Sequence, residues 1–311
     1  MKRKSLGIRA RNTKYQIPIS VSKNGEIKYE RANLVMKVLR VPVVLFLNFL
    51  PPKICKFLML TLSSPRGGAA DVRRWPTSYR AIETMYTYPE RRQKGETSIF
   101  EYFWFYSLNN PQALRNRLLL TTHWLKTKIN EIAKEKKTVR LLSLGCGSTR
   151  AIMTALSAFN GRIDVKAKLL DISTRAINFS KELAKEKGVD FYQIEWYRDR
   201  LQNLEKYCDT DFQPDVVEMV GLLDYFEKEE SIEILKKIYR VLAPNGWLIT
   251  CNIRPNFERP FLTKGVNWPM IYRTPEELIE IVLGAGFPPE NVEILYEPLK
   301  IHGLAIAQKI A

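Results

Sequence analysis

Apolar and polar positions follow two different patterns in the two parts of this chain. Before Lys137 the apolar residues form helical runs, whereas after Lys137 short apolar runs alternate with amphipathic stretches of helical period. Strands that are buried on both faces and joined by helices produce this alternation. The pattern therefore predicts an α/β protein, with a mostly parallel sheet that follows a helical N-terminal region.

The apolar runs predict seven strands, and glycine, proline or an N-cap residue punctuates the helices between them. The last two strands follow each other with no helix between them, so they are expected to close the sheet as a pair. The predicted strands are residues 139–145, 165–171, 189–195, 214–220, 245–253, 291–299 and 302–310.

The N-terminal part divides into an arm and a helical region. Residues 1–33 are basic and polar and predict a partly disordered arm, residues 34–137 predict a helical region, and residues 138–311 hold the alternating pattern. The apolar stretch from Val41 to Leu62 is interrupted by Pro51 and Pro52 and contains two lysines. It therefore predicts two short helices rather than a membrane span. Membrane contact and ordinary core packing both remain open for it.

The charge is unevenly distributed. The formal net charge of +16 divides into +19 for residues 1–140 and −3 for residues 141–311. A basic half of this kind indicates an anionic partner, such as nucleic acid, acidic lipid headgroups or a phosphorylated substrate. The four cysteines have no spacing typical of a zinc site or a disulfide framework, so no metal is expected. Together with the lack of a secretory signal pattern, this predicts the cytoplasm, with peripheral contact at the membrane face.

The sharpest motif is LLSLGCGS, residues 141–148, in which a buried strand runs into glycines and then into a helix. Gly145 permits a sharp turn, and Gly147 lets the backbone approach a ligand closely. The next strand ends in Asp171, where a carboxylate can accept hydrogen bonds from ribose hydroxyls.

The ordered series LLSLGCGS, LLDIS, PDVVEMVGLLDYF and LAPNGWLITCNI resembles the successive motifs of class I S-adenosylmethionine-dependent methyltransferases, over residues 138–311. The resemblance implies a Rossmann-like, seven-stranded sheet and S-adenosyl-L-methionine as the cofactor. It places the methionine portion over the glycines, the ribose at Asp171 and the adenine near Asp199. The implied cofactor residues are Ser143, Gly145, Cys146, Gly147, Asp171, Ile172, Asp199, Met219, Val220, Gly221 and Leu222.

The chain departs from the family pattern at two points. Ser143 stands where the family often carries an acidic residue, which leaves open how the cofactor's amino group is held. Ser148 or Thr149 replaces a third glycine. A nicotinamide-binding Rossmann domain is the competing interpretation, but its fingerprint needs a third glycine where this chain has Arg150.

No motif identifies a catalytic base, and methyl transfer needs one only when the acceptor must first lose a proton. Aromatic and basic residues near the last strands and in the aromatic block at Phe100–Tyr106 are the candidates for acceptor contacts. Such an aromatic block is more often core than pocket wall, and a helix cap at Thr274 would explain the residues next to it. The candidates are Phe103, Tyr106, Arg254, Trp268, Tyr272 and Arg273.

The leading hypothesis is methyl transfer to a small-molecule or lipid-like acceptor, with the N-terminal helices closing over the site. RNA methylation is the second, since the basic half would supply phosphate contacts. A membrane-surface module that no longer turns over is the third. An anionic membrane is favoured over RNA as the partner of the basic half, because RNA gives no reason for the apolar helices at Val41–Leu62.

Overall fold

The computed structural model describes residues 10–11, 15–23, 25–31, 34–62, 68–159 and 161–310. The chain divides into two compact units. The sheet unit comprises Met1–Ile27, Leu119–Arg254 and Ile271–Ala311, and the helical unit comprises Lys28–Leu118 and Pro255–Met270. The predicted boundaries at residues 33 and 137 stay a prediction. Pro255–Met270, the segment after the fifth predicted strand, belongs to the helical unit. The sequence pattern did not predict this grouping.

Within the described part of the chain, the sheet unit has nine strands in the order β1-β2-β8-β9-β7-β6-β3-β4-β5. Strands β3 to β7 run parallel to one another, and β9 lies antiparallel between β7 and β8. The predicted α/β class and the antiparallel closing pair are confirmed. The strands are β1 (Ala10–Arg11), β2 (Pro18–Val21), β3 (Thr138–Leu144), β4 (Asp164–Asp171), β5 (Ile194–Arg198), β6 (Val216–Met219), β7 (Trp247–Ile253), β8 (Val292–Tyr296) and β9 (His302–Gln308).

Two strands beyond the predicted seven come from the N-terminal arm. β2 pairs in parallel with β8, with Ile19 opposite Ile294, and β1 pairs antiparallel with β2. Ile17 and Ile19 are buried in the hydrophobic core of the sheet unit. The isolated apolar residues of this basic segment form no helical period, because the segment forms a short strand, β2, between β1 and β8. The disorder expected for the rest of the arm concerns residues 1–9, 12–14, 24 and 32–33, which lie outside the described residues.

The third predicted strand was misplaced. Residues 191–193 form a short 3₁₀ turn, in which the Asp190 side chain accepts a hydrogen bond from the backbone N–H of Tyr192, and β5 begins only at Ile194. The apolar residues at 189–195 misled the assignment, because Val189 and Phe191 belong to the turn that brings the chain back to the sheet. The strand occupies Ile194–Arg198 beside β4 instead.

Helices cover the sheet on the crossovers between parallel strands. Each carries the apolar stripe that the sequence period predicted, and the buried residues of α8, α9, α10 and α11 are mostly Ile, Leu, Met and Ala. The helices of this unit are α8 (Arg150–Phe159), α9 (Thr174–Glu186), α10 (Lys228–Val241) and α11 (Pro275–Gly284), together with the end of α7 (Asn109–Ile132), which begins in the helical unit.

In its described residues, the helical unit has six further α-helices and the start of α7. They are α1 (Leu34–Phe49), α2 (Pro52–Thr61), α3 (Ala69–Arg74), α4 (Tyr79–Tyr86), α5 (Tyr88–Gln93) and α6 (Ile99–Tyr102). The helix break predicted at Pro51-Pro52 is confirmed, since the helix axis bends by 120° between α1 and α2. Among the described residues, none of the helices alone has the length and composition to cross a membrane, and only this bent pair passes that test when its two members are taken together.

The aromatic block lies where α6 passes into a π-helix over Phe103–Ser107. Ser98 and Glu101 form a capping box at the start of α6. Trp104 and Phe105 are buried; Trp104 stacks on Phe261 with the ring centroids 5.8 Å apart, and Phe105 stacks on Tyr88 at 4.5 Å. The core interpretation of the block therefore holds for these two side chains.

A buried carboxylate caps the first turn of α7 in the helical unit. Glu258 accepts hydrogen bonds from the backbone N–H groups of Asn109 and Asn110, at 2.5 and 2.9 Å, and from the Asn110 side chain at 2.6 Å. Burial raises the pKa of Glu258, and the bonds from Asn109 and Asn110 oppose that rise. The bonds satisfy N–H groups that a helix start leaves without an intrahelical partner, and a negative charge is favourable there.

We expect Glu258→Ala to lower the free energy of unfolding by about 2–4 kcal/mol, because two buried N–H donors at the start of α7 lose their acceptor. Urea titration followed by tryptophan fluorescence measures it, since Trp104 stacks in the same unit. The control is Glu90→Ala, an exposed glutamate of the same unit. A loss equal to that of the control would show that the cap contributes little.

Candidate functional site

The carboxyl ends of the central strands meet at the turn that follows β3. Gly145 and Gly147 have φ of +59° and +53°, in the left-handed region that glycine tolerates best. A Cβ on Gly145 would stand 2.3 Å from a methyl carbon of Leu222, so glycine also leaves the room that the neighbouring loop occupies. The backbone N–H of Cys146 donates to the Leu170 carbonyl at 3.0 Å, which fixes the turn to the end of β4.

Thr149, which follows the glycine turn, has a left-handed backbone conformation. Its φ is +58°, which is strained for a β-branched residue. The Thr149 and Ser180 hydroxyls share a hydrogen bond of 2.9 Å, and the indole N–H of Trp196 donates to Ser180 at 2.8 Å. The side-chain bond to α9 helps to hold the strained residue in place.

Asp171, at the end of β4, bridges two loops of the site. One carboxylate oxygen accepts from the backbone N–H of Gly147 and the other from that of Ser173, both at 2.8 Å. Burial raises the pKa of Asp171, and these two bonds oppose the rise. A carboxylate has about four acceptor positions, so about two of those on Asp171 can still accept hydrogen bonds from a ligand hydroxyl. The adjacent candidate Ile172 is 68% exposed.

The end of β6 lies beside β3. Met219 is buried, and Val220, Gly221 and Leu222 are half-buried in the loop that follows. Leu222 faces Gly145 closely, so the structure brings the glycine turn and this loop together as the motif order implied. The Met219 carbonyl accepts from the Thr250 hydroxyl at 2.7 Å, which ties the end of β6 to β7.

Glu218 is a buried acidic residue of this site that the sequence analysis missed. Its side chain accepts from the Ser143 hydroxyl at 2.6 Å and from the backbone N–H of Val220 at 3.1 Å. Ser143 and Glu218 are direct partners in the β3–β6 register. The signal available was the single charged residue inside the run VVEMV, all of whose other members are apolar.

The two carboxylates make the glycine turn electronegative. The charges of Asp171 and Glu218 raise the pKa of the Cys146 thiol, after the larger effect of its burial. Cys146 is thus an uncharged packing residue of the turn rather than a nucleophile. A site with this potential favours a cationic ligand over an anionic one.

Asp199 follows β5 and serves its own loop. Its carboxylate accepts from the Asn203 amide and the Tyr207 hydroxyl, both at 2.7 Å, and from the backbone N–H of Arg200. These bonds lower the pKa of Asp199 to about 2. The adenine contact remains a prediction, and the carboxylate's observed role is to organise the turn.

Three of the candidate acceptor residues belong to the sheet unit. The Arg273 guanidinium donates to the Leu223 and Phe226 carbonyls and to the Asn252 side chain, so its groups hold the loop after β6. Tyr272 is buried, and Arg254 is half-buried with its guanidinium 5.9 Å from the Tyr296 ring. The predicted capping box of Thr274 and Glu277 is present at α11.

The other three candidates belong to the helical unit. Tyr106 lies in an aromatic cluster, 5.1 Å from Tyr102 and with the Arg115 guanidinium 5.3 Å from its ring. Trp268 is buried. Phe103 lines an apolar cavity of about 200 Å³, whose walls are Val43, Phe46, Leu47, Leu58, Leu62, Phe100, Phe103 and Trp104.

No cluster of three or more histidine, cysteine, aspartate or glutamate side chains in the described ranges could hold a metal ion. His123 and His302 are far apart in the sequence and have different surroundings. The His123 imidazole is 3.7 Å from the Glu26 carboxylate, and burial lowers its pKa. His302 is buried at the start of β9, where its backbone N–H donates to Glu297.

Comparison with known proteins agrees with this geometry. Residues 142–248 match a family model described as a methyltransferase domain. A search of curated proteins gives no significant match. A protein from Bordetella parapertussis, described as a possible exported protein, matches 90% of this chain and 100% of its own at a TM-score of 0.61 and 14% identity. The S-adenosylmethionine-dependent methyltransferase SibL in its apo form matches 89% of this chain and 77% of its own, at 0.52 and 14%. At such identities the likeness establishes the shared fold.

We expect Gly145→Ala to destabilise the fold by about 1–2 kcal/mol through its positive φ, and also to displace Leu222 and so weaken binding of S-adenosylhomocysteine. Gly161→Ala is the matched control, since its φ is +73° with nothing within 4 Å of the added methyl group. Thermal unfolding and titration calorimetry measure the two effects. If both variants bind the ligand equally well, close approach at Gly145 is not required.

Proposed function

We propose that this chain is a class I S-adenosylmethionine-dependent methyltransferase, in line with the methyltransferase-domain match over residues 142–248, and that it transfers a methyl group to a lipid-like small molecule at an anionic membrane surface. The observation that supports the cofactor is the glycine turn after β3, which is joined to Asp171 and has the Leu222 side chain packed closely against Gly145. The observation that supports the acceptor and the location is the apolar surface of the helical unit.

The residues around the turn suit the cofactor. Gly145 and Gly147 leave the backbone open to the methionine portion, and Asp171 has acceptor positions for the ribose. The bound cofactor supplies an electrophilic methyl group on a sulfonium. The chain's task is then to hold the acceptor atom in line with that methyl group and to exclude water. Neither the motifs nor the described geometry identifies a base.

The acceptor class follows from the helical unit. The cavity beside Phe103 has walls that are almost wholly apolar, and two of its lining residues, Phe46 and Phe100, are themselves exposed. An apolar cavity that opens among exposed aromatic residues suits a hydrocarbon group rather than a polar metabolite. A lipid-like acceptor is therefore the finer proposal within the small-molecule class.

The membrane proposal depends on the exposed residues of α1 and α2. Phe49 is 83% exposed and Phe57 64%, and large apolar side chains surround them on both helices. Exposed apolar surface of this extent is typical of an interaction site. The exposed apolar residues of the two helices are Val35, Val38, Leu39, Val41, Leu45, Phe46, Phe49, Ile54 and Phe57.

Cations accompany this surface. Lys37, Lys53 and Lys56 are exposed on the same two helices. No acidic residue lies between Leu34 and Leu62. An apolar face with flanking lysines suits the interface of an anionic leaflet, where each cation contributes about 1 kcal/mol. The net charge of +19 in residues 1–140 also supports RNA as a partner, and the experiment on the two helices includes that alternative.

We expect the full chain to bind S-adenosylhomocysteine in titration calorimetry, and Asp171→Ala to weaken binding by about 1.5–3 kcal/mol, the range for a hydrogen bond to a charged group. The matched control is Asp209→Ala. Asp209 likewise accepts two backbone N–H bonds, from Asp211 and Phe212, but it lies in a surface loop. Binding of a nicotinamide dinucleotide in place of the nucleoside thioether would refute the methyltransferase proposal.

Flotation with phosphatidylcholine vesicles, with and without phosphatidylserine, tests the membrane proposal. We expect binding only to the acidic vesicles, weakened at least about tenfold by Lys53→Glu with Lys56→Glu, and also by Phe49→Ser with Phe57→Ser. The control is Lys181→Glu with Lys185→Glu, which makes the same charge change on exposed positions of α9. No flotation, together with salt-sensitive retention on RNA, would favour the RNA methyltransferase instead.

A further inference from the structure

We infer that Glu218 holds the ammonium group of the methionine portion, a task for which β3 offers no acidic residue because Ser143 stands next to its end. This inference rests on the proposed function, since it assigns a ligand group within the same site. It adds a specificity-determining residue that the order of motifs along the chain does not indicate.

The first step is the position of the carboxylate. Ser143 and Glu218 are paired in register on adjacent parallel strands, one residue before the end of β3 and of β6. Ligands of open parallel sheets bind outside the carboxyl ends of the strands. The Glu218 side chain thus stands at the edge where the glycine turn begins, and the charge lies on β6 while a neutral hydroxyl lies on β3.

The second step is the orientation of the carboxylate. The Ser143 hydroxyl donates to one oxygen at 2.6 Å and the backbone N–H of Val220 donates to the other at 3.1 Å. These two bonds fix the plane of the group. A carboxylate has about four acceptor positions on its two oxygens, so it can accept an ammonium donor beside its protein partners.

The third step is the charge of the ligand. S-adenosylmethionine carries a sulfonium and an ammonium, and the glycine turn lies in the field of two carboxylates, Asp171 and Glu218, both of which act on Cys146. Asp171 is placed for the ribose through the loop of Gly147. Glu218 is the carboxylate left for the amino end of the ligand, and it is buried with 8% of its surface exposed. A charge-assisted hydrogen bond in a site shielded from water is stronger than one at the protein surface.

The test compares two ligands that differ only in the amino acid portion. S-adenosylhomocysteine has the ammonium group, whereas 5′-methylthioadenosine has the same nucleoside and thioether without it. We expect Glu218→Gln to weaken S-adenosylhomocysteine at least about tenfold and to leave 5′-methylthioadenosine within about twofold. Glutamine keeps the shape of the side chain and an acceptor for Ser143. Glu182→Gln, an exposed site on α9, is the control for the change in net charge.

A second variant moves the carboxylate to the other strand. Ser143→Asp in the Glu218→Gln background should recover part of the lost S-adenosylhomocysteine affinity, because the two positions face each other in the register. Equal weakening of both ligands by Glu218→Gln would assign Glu218 to the support of the loop and overturn the inference, as would an unchanged affinity for S-adenosylhomocysteine. A wild-type chain that binds neither ligand would refute the proposed function itself, and the inference with it.

Discussion

The site depends on the attachment of the turn after β3 to the end of β4. Two backbone N–H groups of that turn, those of Cys146 and Gly147, donate to the last two residues of β4, one to a carbonyl and one to the Asp171 carboxylate. In this attached turn Gly145 and Gly147 have left-handed conformations, and Thr149 lies in the same strained region. The hydrogen bonds of Cys146 and Gly147 to β4, and of Thr149 with Ser180, offset the cost of that backbone. A turn that is strained yet fixed has little freedom to lose when a ligand binds.

The two carboxylates beside this turn, Asp171 and Glu218, are also held by hydrogen bonds. A buried negative charge is expensive unless hydrogen bonds satisfy it, and Asp171 and Glu218 each accept at least two. They lie near the carboxyl ends of β4 and β6, the two strands that flank β3, so the fold concentrates negative charge at one edge of the sheet. Holding such charges against self-repulsion is consistent with a ligand that brings positive charge to that edge.

The helical unit combines hydrogen-bonded buried charges with an exposed apolar surface. Two of its buried charged groups are hydrogen-bonded to the backbone: Glu258 caps α7, and the Arg40 guanidinium donates to the Ser107 and Tyr106 carbonyls. These bonds fix α1 and the π-helix against the start of α7 without using the apolar residues of α1 and α2. Large aliphatic and aromatic side chains are thereby left exposed on two helices that carry lysines and no acidic residue. That arrangement is costly in water and favourable at an interface.

The sequence by itself determined the elements whose signal is local. These are the alternating strands and helices of the sheet unit, the glycine turn with Asp171, the break at Pro51-Pro52 and the cap at Thr274, because period, backbone freedom and capping chemistry act within a few residues. Tertiary structure decided what depends on partners distant along the chain. Ile19 became part of a strand through its pairing with β8, Arg273 and Tyr106 gained contacts with neighbours that no spacing reveals, and Glu218 met Ser143 across 75 residues through strand register. Register and long-range hydrogen bonds are set by the whole packed sheet, so a single stretch of sequence does not contain them.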